Sequence, residues 1–275
     1  MTSAAVLPTL FVSHGSPMFA IEPGTTGPAL RAYAKTQLCG EALRGVLVMS
    51  PHWMAPEPAI MGHPAPNTWH DFGGFPEVLY TLDYPAPGAP DLAQRVQSLL
   101  ADAGHAAPID LQRPRDHGAW VPMMHLLPEA RVPVIQIALP SHATPQALFA
   151  MGQALRSLKH EGVLVVGSGS LTHNLREFFT EPAAQNSPAE PYVTAFARWV
   201  EQTLEAQARD SLFDYRQRAP QAARAHPTDE HWRTLYFALG AAEWGTGAAP
   251  SVHYLSREVM HRWLAMDAVA FQATV

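Results

Sequence analysis

Histidine is the residue type in this sequence that is best suited to chemistry. The chain of 275 residues has 14 histidines and a single cysteine, Cys39. One cysteine excludes an internal disulfide and a zinc site built from several thiolates, so a transition-metal site here needs imidazole and carboxylate ligands. The histidine count is weak evidence by itself, and the positions of the histidines decide its meaning.

Three histidines come at or just after apolar runs of strand length. His14 and His52 lie within two residues of the ends of two such runs, and His173 follows a third. In open α/β sheets, ligands bind beyond the carboxyl ends of the strands, where parallel neighbours converge. Three histidines at one edge therefore predict a metal or catalytic cluster, although a single histidine at a strand end is more often a hydrogen-bonded structural residue.

Two further histidines lie at predicted helix starts. His231 follows Thr228, a predicted N-cap, and shares with Leu235 a stripe that should face the interior. His117 lies in a loop just before a predicted helix, beside Asp116, a carboxylate that is expected to orient its ring. The alternatives are that His231 is a packing residue and that His117 caps the helix that follows it. The remaining histidines outside the motifs discussed here are interpreted as surface or packing residues: His63, His105, His125, His142, His160, His226, His253 and His261.

The elements that position these histidines follow the pattern of a parallel sheet covered on both faces. Apolar runs alternate with segments of helical period, without a repeat or a charged linker. The predicted class is α/β, a single domain over residues 1–275 with a mostly parallel central sheet flanked by helices and the active site at the strand carboxyl ends. The predicted strands are Thr9–Ser13, Gly45–Ser50, Pro133–Ala138 and Gly162–Gly167. The predicted helices are Gly27–Thr36, Ala89–Ala103, Ala119–Leu127, Pro145–Glu161, Pro188–Asp210 and Asp229–Ala242.

Charge and hydropathy exclude several classes of partner. The net charge is −6, and no Lys/Arg-rich run is present, so nucleic acid is not an expected partner. No apolar stretch approaches the roughly 20 residues that span a bilayer. The segment Met1–Ala5 lacks the basic region of a signal peptide, and a reducing cytoplasm is the expected location. Monomer and dimer are equally compatible with the sequence.

One motif points to other chemistry and is set aside. The segment 167–170, Gly-Ser-Gly-Ser, has the small residues of a phosphate-binding turn or of a nucleophile elbow. It has no lysine after the glycines, and it lacks the G-x-S-x-G order of serine hydrolases. A serine nucleophile is therefore not predicted.

Six motifs in order give the sequence a family resemblance across essentially the whole chain. It resembles the class III extradiol dioxygenases, specifically those of the 4,5-DOPA dioxygenase type. The resemblance implies a single α/β domain and a mononuclear metal held by His14, His52 and His231, with His173 as a fourth ligand or the acid/base residue and His117 as a second active-site histidine. The motifs are the segments 14–17, 50–53, 70–76, 116–120, 172–174 and 227–231.

The function implied by this resemblance is the opening of a catechol ring with O2. Fe(II) is the expected working metal, and Zn(II) is expected to occupy the site in protein purified in air, because imidazole sites bind Zn(II) more tightly. His70, Phe72 and Phe75 of the loop-rich segment Glu57–Pro87 are predicted to line the substrate ring, with a turn pinned by two phenylalanines as the alternative. The competing functions are a zinc hydrolase and a non-catalytic interaction module of the same fold.

Overall fold

The computed structural model describes residues 6–38, 43–247 and 250–273. Cys39 and the segment Met1–Ala5, on which two of the predictions above depend, lie outside the described residues. The strands are β1 (Thr9–Ser13), β2 (Gly45–Ala55), β3 (Ile60–Met61), β4 (Ile109–Asp110), β5 (Val134–Pro140), β6 (Val163–Gly169), β7 (Ser251–Ser256), β8 (Val259–Met260), β9 (Leu264–Ala265) and β10 (Ala268–Gln272).

Helices connect and cover these strands. They are α1 (Thr26–Gln37), α2 (Pro90–Asp102), α3 (His117–Leu126), α4 (Pro145–Ala154), α5 (Leu175–Thr180), α6 (Pro191–Glu205), α7 (Arg209–Phe213), α8 (Tyr215–Arg218), α9 (Ala222–Ala225) and α10 (Glu230–Ala241). Single 3₁₀ turns cover Pro17–Ala20, Glu77–Thr81 and Arg156–His160. Among the residues described, no helix is both long and apolar enough to cross a membrane.

The main sheet has the strand order β4-β3-β5-β2-β6-β1-β10-β7 within the described ranges. Its centre is parallel, because β5, β2, β6 and β1 all run in one direction. Antiparallel pairing appears on both sides of this centre, between β3 and β5 and between β1, β10 and β7. The predicted class, a single α/β domain with a mostly parallel sheet between helices, is confirmed.

Successive side chains of the central strands point alternately into two hydrophobic layers, one on each face of the sheet. In β1, Leu10 and Val12 belong to the layer that packs against α1 and α3, whereas Phe11 belongs to the layer under α4, α6 and α10. All three side chains are buried. A strand buried on both faces has no polar face to show, which explains why these runs are continuously apolar in the sequence.

The predicted strands and helices of the parallel core are confirmed with small changes at their ends. The predicted helix Pro145–Glu161 ends as an α-helix at Ala154 and continues as a 3₁₀ turn, and the predicted helix Pro188–Asp210 is interrupted after Glu205. The C-terminal strands β7 to β10 were not predicted. Strands β8 and β9 have only two residues each, and two of the six residues of β7 are exposed, so these segments lack the apolar runs that mark the central strands. Strand β10 does contain a short buried apolar run.

Two predicted placements of histidines need correction. His52 does not follow β2, since the strand continues to Ala55 and its pairing with β5 shifts between Ser50 and Met54. His52 therefore lies at an irregularity within the strand, next to Pro51, which has no N–H for the ladder. His117 does not precede a helix, because it is the first residue of α3.

Candidate metal centre

Three histidines from three elements meet at the carboxyl edge of the parallel strands. His14 follows β1, His52 lies at the β2 irregularity, and His231 lies in the first turn of α10. One ring nitrogen from each falls within 4.8 Å of the other two. His14 and His231 are buried, and the side chain of His52 is 23% exposed, so the cluster is open to solvent on the side of His52. The sequence prediction that these residues converge agrees with the structure.

Ser168 fixes the ring of His14. The Ser168 hydroxyl has one hydrogen, which it donates to the Gly118 carbonyl, so it accepts a hydrogen bond from His14 Nδ1 at 2.9 Å. The proton of a neutral His14 ring therefore lies on Nδ1, and Nε2 presents a lone pair to the cluster. Ser168 belongs to the Gly-Ser-Gly-Ser segment, in which it has this orienting contact and not the position of a nucleophile.

Glu230 fixes the ring of His231 in a similar way. Its Oε1 lies 3.0 Å from His231 Nδ1, so Nδ1 carries the donated proton and Nε2 is free to bind a metal. Glu230 thus lies behind His231 as seen from the cluster, which supports the histidine as the ligand. The prediction that Thr228 is the N-cap is wrong: Asp229 takes that position, and the Thr228 hydroxyl instead donates to Glu230 Oε1 at 3.1 Å.

Asp71 connects His52 with His117. Its Oδ1 accepts from both the backbone N–H and Nδ1 of His117, each at 2.9 Å, while its Oδ2 faces His52 Nδ1 at 3.6 Å. The expectation that Asp116 orients His117 is wrong. Asp116 points away from the ring and accepts hydrogen bonds from Ser50 Oγ and Gln136 Nε2, because it is fully buried and needs partners in the sheet.

His173 lies beside His231 at the opposite side of the cluster. The two rings stack with centroids 3.5 Å apart and an angle of 16° between their planes. His173 Nδ1 lies 3.8 Å from Glu230 Oε1, beyond hydrogen-bonding distance. The stacked ring places His173 next to the cluster, and the structure brings all five predicted histidines together.

Burial keeps the cluster neutral. Desolvation, reinforced by the neighbouring histidines, holds the pKa of His14 and of His231 well below the ordinary value. Desolvation also lowers the pKa of His52 to about 3 and that of His173 to about 4. Burial raises the pKa of Asp71, but hydrogen bonds from His117 outweigh it and leave this pKa below its usual range. Neutral imidazole is the form that binds a metal.

Two glycines allow the elements of the site to approach one another. A Cβ on Gly169 of β6 would lie 2.0 Å from the carbonyl oxygen of His231, so only glycine permits this contact between strand and helix. A Cβ on Gly118 would lie 2.3 Å from Ser50 Oγ and 2.9 Å from the His52 ring. Residues without a side chain are therefore required at two points where backbone meets the cluster.

The donor set fits a transition metal. His14 Nε2 and His52 Nε2 lie 3.2 Å apart, and two nitrogens that each bind one ion at about 2.0–2.1 Å are separated by a similar distance. All three Nδ1 atoms point to an oxygen behind the ring, which is the arrangement typical of metal-binding histidines. His14, His52 and His231 could thus hold an ion, and two neighbouring groups, His52–Asp71–His117 and His173–Glu230–His231, also bring three donor atoms together.

The predicted substrate residues do not all reach the site. Phe72 lies edge-on to His117 with centroids 5.6 Å apart, whereas Phe75 and His70 contact Phe72. His70 also pairs through Nε2 with the Leu82 carbonyl at 2.9 Å, inside the same loop. Phe72 alone of these three contacts a histidine of the cluster, and His70 and Phe75 support it.

No pattern in the sequence singles out Asp71 or Ser168 as orienting groups. Asp71 is in the loop motif 70–76, whose aromatic residues are the more prominent feature, and a carboxylate next to His70 is the only signal there. Arg115, which precedes the motif 116–120, is fully buried and donates to the carbonyls of Tyr84 and Ala86. It stabilises the loop and cannot contact a substrate.

Comparisons with known proteins agree with this site. Residues 8–265 match the family model described as the catalytic LigB subunit of aromatic ring-opening dioxygenase. The chain therefore belongs to this family of metal-dependent aromatic ring-opening dioxygenases. The predicted class of enzyme, an extradiol dioxygenase, is confirmed by this membership, and the zinc hydrolase and the interaction module are not favoured.

Curated relatives cover most of the chain. A protein from Beta vulgaris named 4,5-DOPA dioxygenase extradiol is 39% identical over 85% of this chain and 86% of its own length. A protein of the same name from Escherichia coli K12 is 34% identical over 87% of this chain and 86% of its own length. The crystal structure of an uncharacterized E. coli K12 protein superposes with a TM-score of 0.77 at 27% identity, covering 96% of this chain and 99% of that one.

Proposed function

We propose that this protein is a non-haem Fe(II) extradiol dioxygenase that opens the aromatic ring of a DOPA-like catechol with O2. The observation that carries the proposal is the set of three neutral imidazoles, His14, His52 and His231, each of which brings one ring nitrogen to the same point at the carboxyl edge of the sheet. Two further histidines flank them, and a phenylalanine lies at one side. Family membership and the names of the relatives support the same reaction.

His14, His52 and His231 hold the ion in this proposal. When bound, Fe(II) would supply a Lewis acid for the catechol oxygens and a path by which electrons of the catechol reach O2. Three neutral imidazoles leave the full +2 charge on the ion, in contrast to a site with two histidines and one carboxylate, so a catecholate is strongly favoured. Zn(II) is the expected occupant of protein purified in air.

His173 is proposed as the acid/base residue. Its lowered pKa keeps it neutral near pH 7, which is the form that can accept a proton, and in this proposal it takes the proton of a catechol hydroxyl and returns it while the ring rearranges. His117 enters from the other side with its Nδ1 bonded to Asp71, which leaves Nε2 to accept a hydrogen bond from the substrate. A fourth-ligand role for His173 is the alternative.

Phe72 is proposed as the wall for the substrate ring, with His70 and Phe75 behind it. The Phe72 ring is only partly buried and packs against Tyr80 and Trp120 as well as His117. An aromatic side chain held on several sides presents a fixed face to a catechol ring. We also retain the cytoplasmic location and the single catalytic domain over residues 1–275 as proposals.

Oxygen uptake by anaerobically Fe(II)-loaded protein tests the proposal. With a panel of catechols we expect O2 consumption and a yellow ring-opened product for the wild type and for His253→Ala, an exposed histidine on β7. His52→Ala is expected to lose at least ~100-fold in rate, because it removes one of three metal ligands. Tight metal binding without uptake for any catechol, together with hydrolysis that needs no O2, would favour the zinc hydrolase.

A further inference from the structure

Asp71 contacts two histidines of the cluster with two different oxygens. Oδ1 accepts two hydrogen bonds from His117, one from the backbone and one from the ring. Oδ2 lies 3.6 Å from Nδ1 of the neutral His52, longer than a hydrogen bond but close enough for the negative charge to favour a proton on that nitrogen. The carboxylate is only 8% exposed, so it lies against the cluster and not in the solvent.

The loop that carries Asp71 is fixed to the elements that carry the histidines. The Trp69 carbonyl, two residues before Asp71, accepts a hydrogen bond from Trp120 of α3 at 3.0 Å. The backbone N–H of Trp69 in turn donates to the Arg115 carbonyl at 2.8 Å. Since α3 begins with His117, the loop and the helix hold Asp71 and His117 at a fixed separation.

We propose that Asp71 is a positioning residue that sets His52 and His117 together, through the two oxygens of one carboxylate. The inference rests on the proposed function only in taking the three-histidine cluster as the metal site. Through Oδ1, Asp71 keeps the ring proton of His117 on Nδ1. Through Oδ2, it favours a proton on Nδ1 of His52, so that Nε2 of His52 is free for the metal.

The substitution Asp71→Asn separates the two contacts. An amide has one acceptor oxygen, and the two donors of His117 draw that oxygen to the Oδ1 position. The amide NH2 then faces Nδ1–H of His52, where two donors oppose each other. His52 must shift its proton to Nε2 or turn its ring, and either change removes a metal-binding lone pair. Asp71→Ala removes both contacts.

The experiment measures zinc affinity and the ring nitrogens of His117 independently. Zn(II) affinity is obtained at pH 7 by competition with a chromophoric chelator, and ¹⁵N NMR of histidine-labelled, metal-free protein locates the ring proton. We expect Asp71→Asn to lose ~10–100-fold in affinity while His117 keeps its Nδ1 proton. Asp71→Ala is expected to lose both affinity and this proton.

Asp83→Asn is the matched control. Asp83 is in the same loop and accepts a hydrogen bond from Thr68 Oγ1, which an amide oxygen also accepts. It makes the same charge change away from the histidines, and we expect affinity within ~2-fold of the wild type.

Wild-type affinity in Asp71→Asn, or a ring proton on Nε2 of His117 in the wild type, would overturn the proposal. The second observation needs no variant, so a variant that fails to fold leaves the test intact. Neither readout depends on turnover. Loss of the proposed catechol chemistry would leave both unchanged and is therefore distinguishable.

Discussion

The two halves of the histidine cluster are held in place by different means. One half, His14, His173 and His231, is fixed by backbone: His14 N–H donates to the Gly169 carbonyl, Ser170 N–H to the His231 carbonyl, and His173 N–H to a carbonyl of α9. We call His14, His173 and His231 the backbone-held half of the cluster. A shift of any one of these residues would break a main-chain hydrogen bond between neighbouring elements.

The other half, His52 and His117, is fixed by side chains. Arg113 donates to the His52 carbonyl at 3.0 Å and to Asp116 at 3.3 Å, and it lies between the rings of Trp53 and Trp69. Together with the Asp71 carboxylate, these contacts define the side-chain-held half. The main chain of the first half is therefore bonded directly to neighbouring elements, whereas the second half depends on side-chain contacts that a substitution can change.

Substitution of Gly169 should produce the largest effect and test the backbone-held half. In Gly169→Ala, the new Cβ would lie 2.0 Å from the His231 carbonyl, so β6 and α10 must separate. We expect a loss of about 3 kcal/mol in the free energy of unfolding and loss of stoichiometric metal binding. Gly73→Ala, at a glycine with open space around its Cβ, is the control for chemical denaturation and metal analysis. Equal stability of the two variants would contradict the backbone account.

Lowering the pH should reduce the free energy of unfolding, because the buried residue His226 next to the backbone-held half resists protonation. His226 is buried, donates through Nε2 to the Leu171 carbonyl, and has a pKa lowered by burial to about 3. The unfolded chain takes up this proton near pH 6.5 and the folded protein does not. The stabilisation is therefore fully present above pH 6.5 and is lost as the pH falls toward 3, by about 1.4 kcal/mol per pH unit.

Denaturation of metal-free protein between pH 7 and pH 4.5 measures this slope. The variant His226→Gln lacks the titrating group, and its slope should be smaller by about 1 kcal/mol per pH unit. Identical slopes for the two proteins would show that His226 is not responsible.

Substitution of Phe72 tests whether a contact of the side-chain-held half can be changed without loss of metal binding. In Phe72→Leu the aromatic edge-on contact with His117 is lost, but no metal ligand changes. We expect KM for the catechol to rise ~5-fold with kcat and zinc affinity nearly unchanged, since an aromatic pair contributes about 1 kcal/mol. Steady-state oxygen uptake measures both parameters. A fall in kcat with constant KM would assign Phe72 to the chemistry and not to substrate binding.

Glu230 should give the smallest effect and sharpen the contrast with Asp71. One of its two carboxylate oxygens, Oε1, accepts hydrogen bonds from His231 and Thr228 and lies 3.8 Å from Nδ1 of His173. Because the amide oxygen of Glu230→Gln can make these same contacts, zinc affinity should fall by no more than ~3-fold. The chelator competition used for Asp71 applies here. A loss as large as that of Asp71→Asn would mean that charge, and not hydrogen-bond geometry, governs both carboxylates.

The parallel core and the five histidines of the cluster can be predicted from residue types and their spacing. The runs that form β1, β2, β5 and β6 are apolar throughout because these strands are buried on both faces, and such runs are visible without a structure. His14, His52 and His173 could be assigned to one edge because parallel strands end together. His231 came from a helical stripe, and the family resemblance gave it the role of a ligand.

The orientation of the histidine rings depends on contacts between residues that are far apart in the sequence. Asp71 reaches His117 from 46 positions earlier in the chain, and Ser168 reaches His14 from 154 positions later. No local pattern records such contacts, because they depend on how a loop and a strand pack against distant elements. The prediction that Asp116 orients His117 was wrong for this reason: adjacency in the sequence favoured it, but the sheet buries its carboxylate on the other side. Residue types and their spacing indicate a histidine metal site, and the packing of the fold determines which groups orient its histidines.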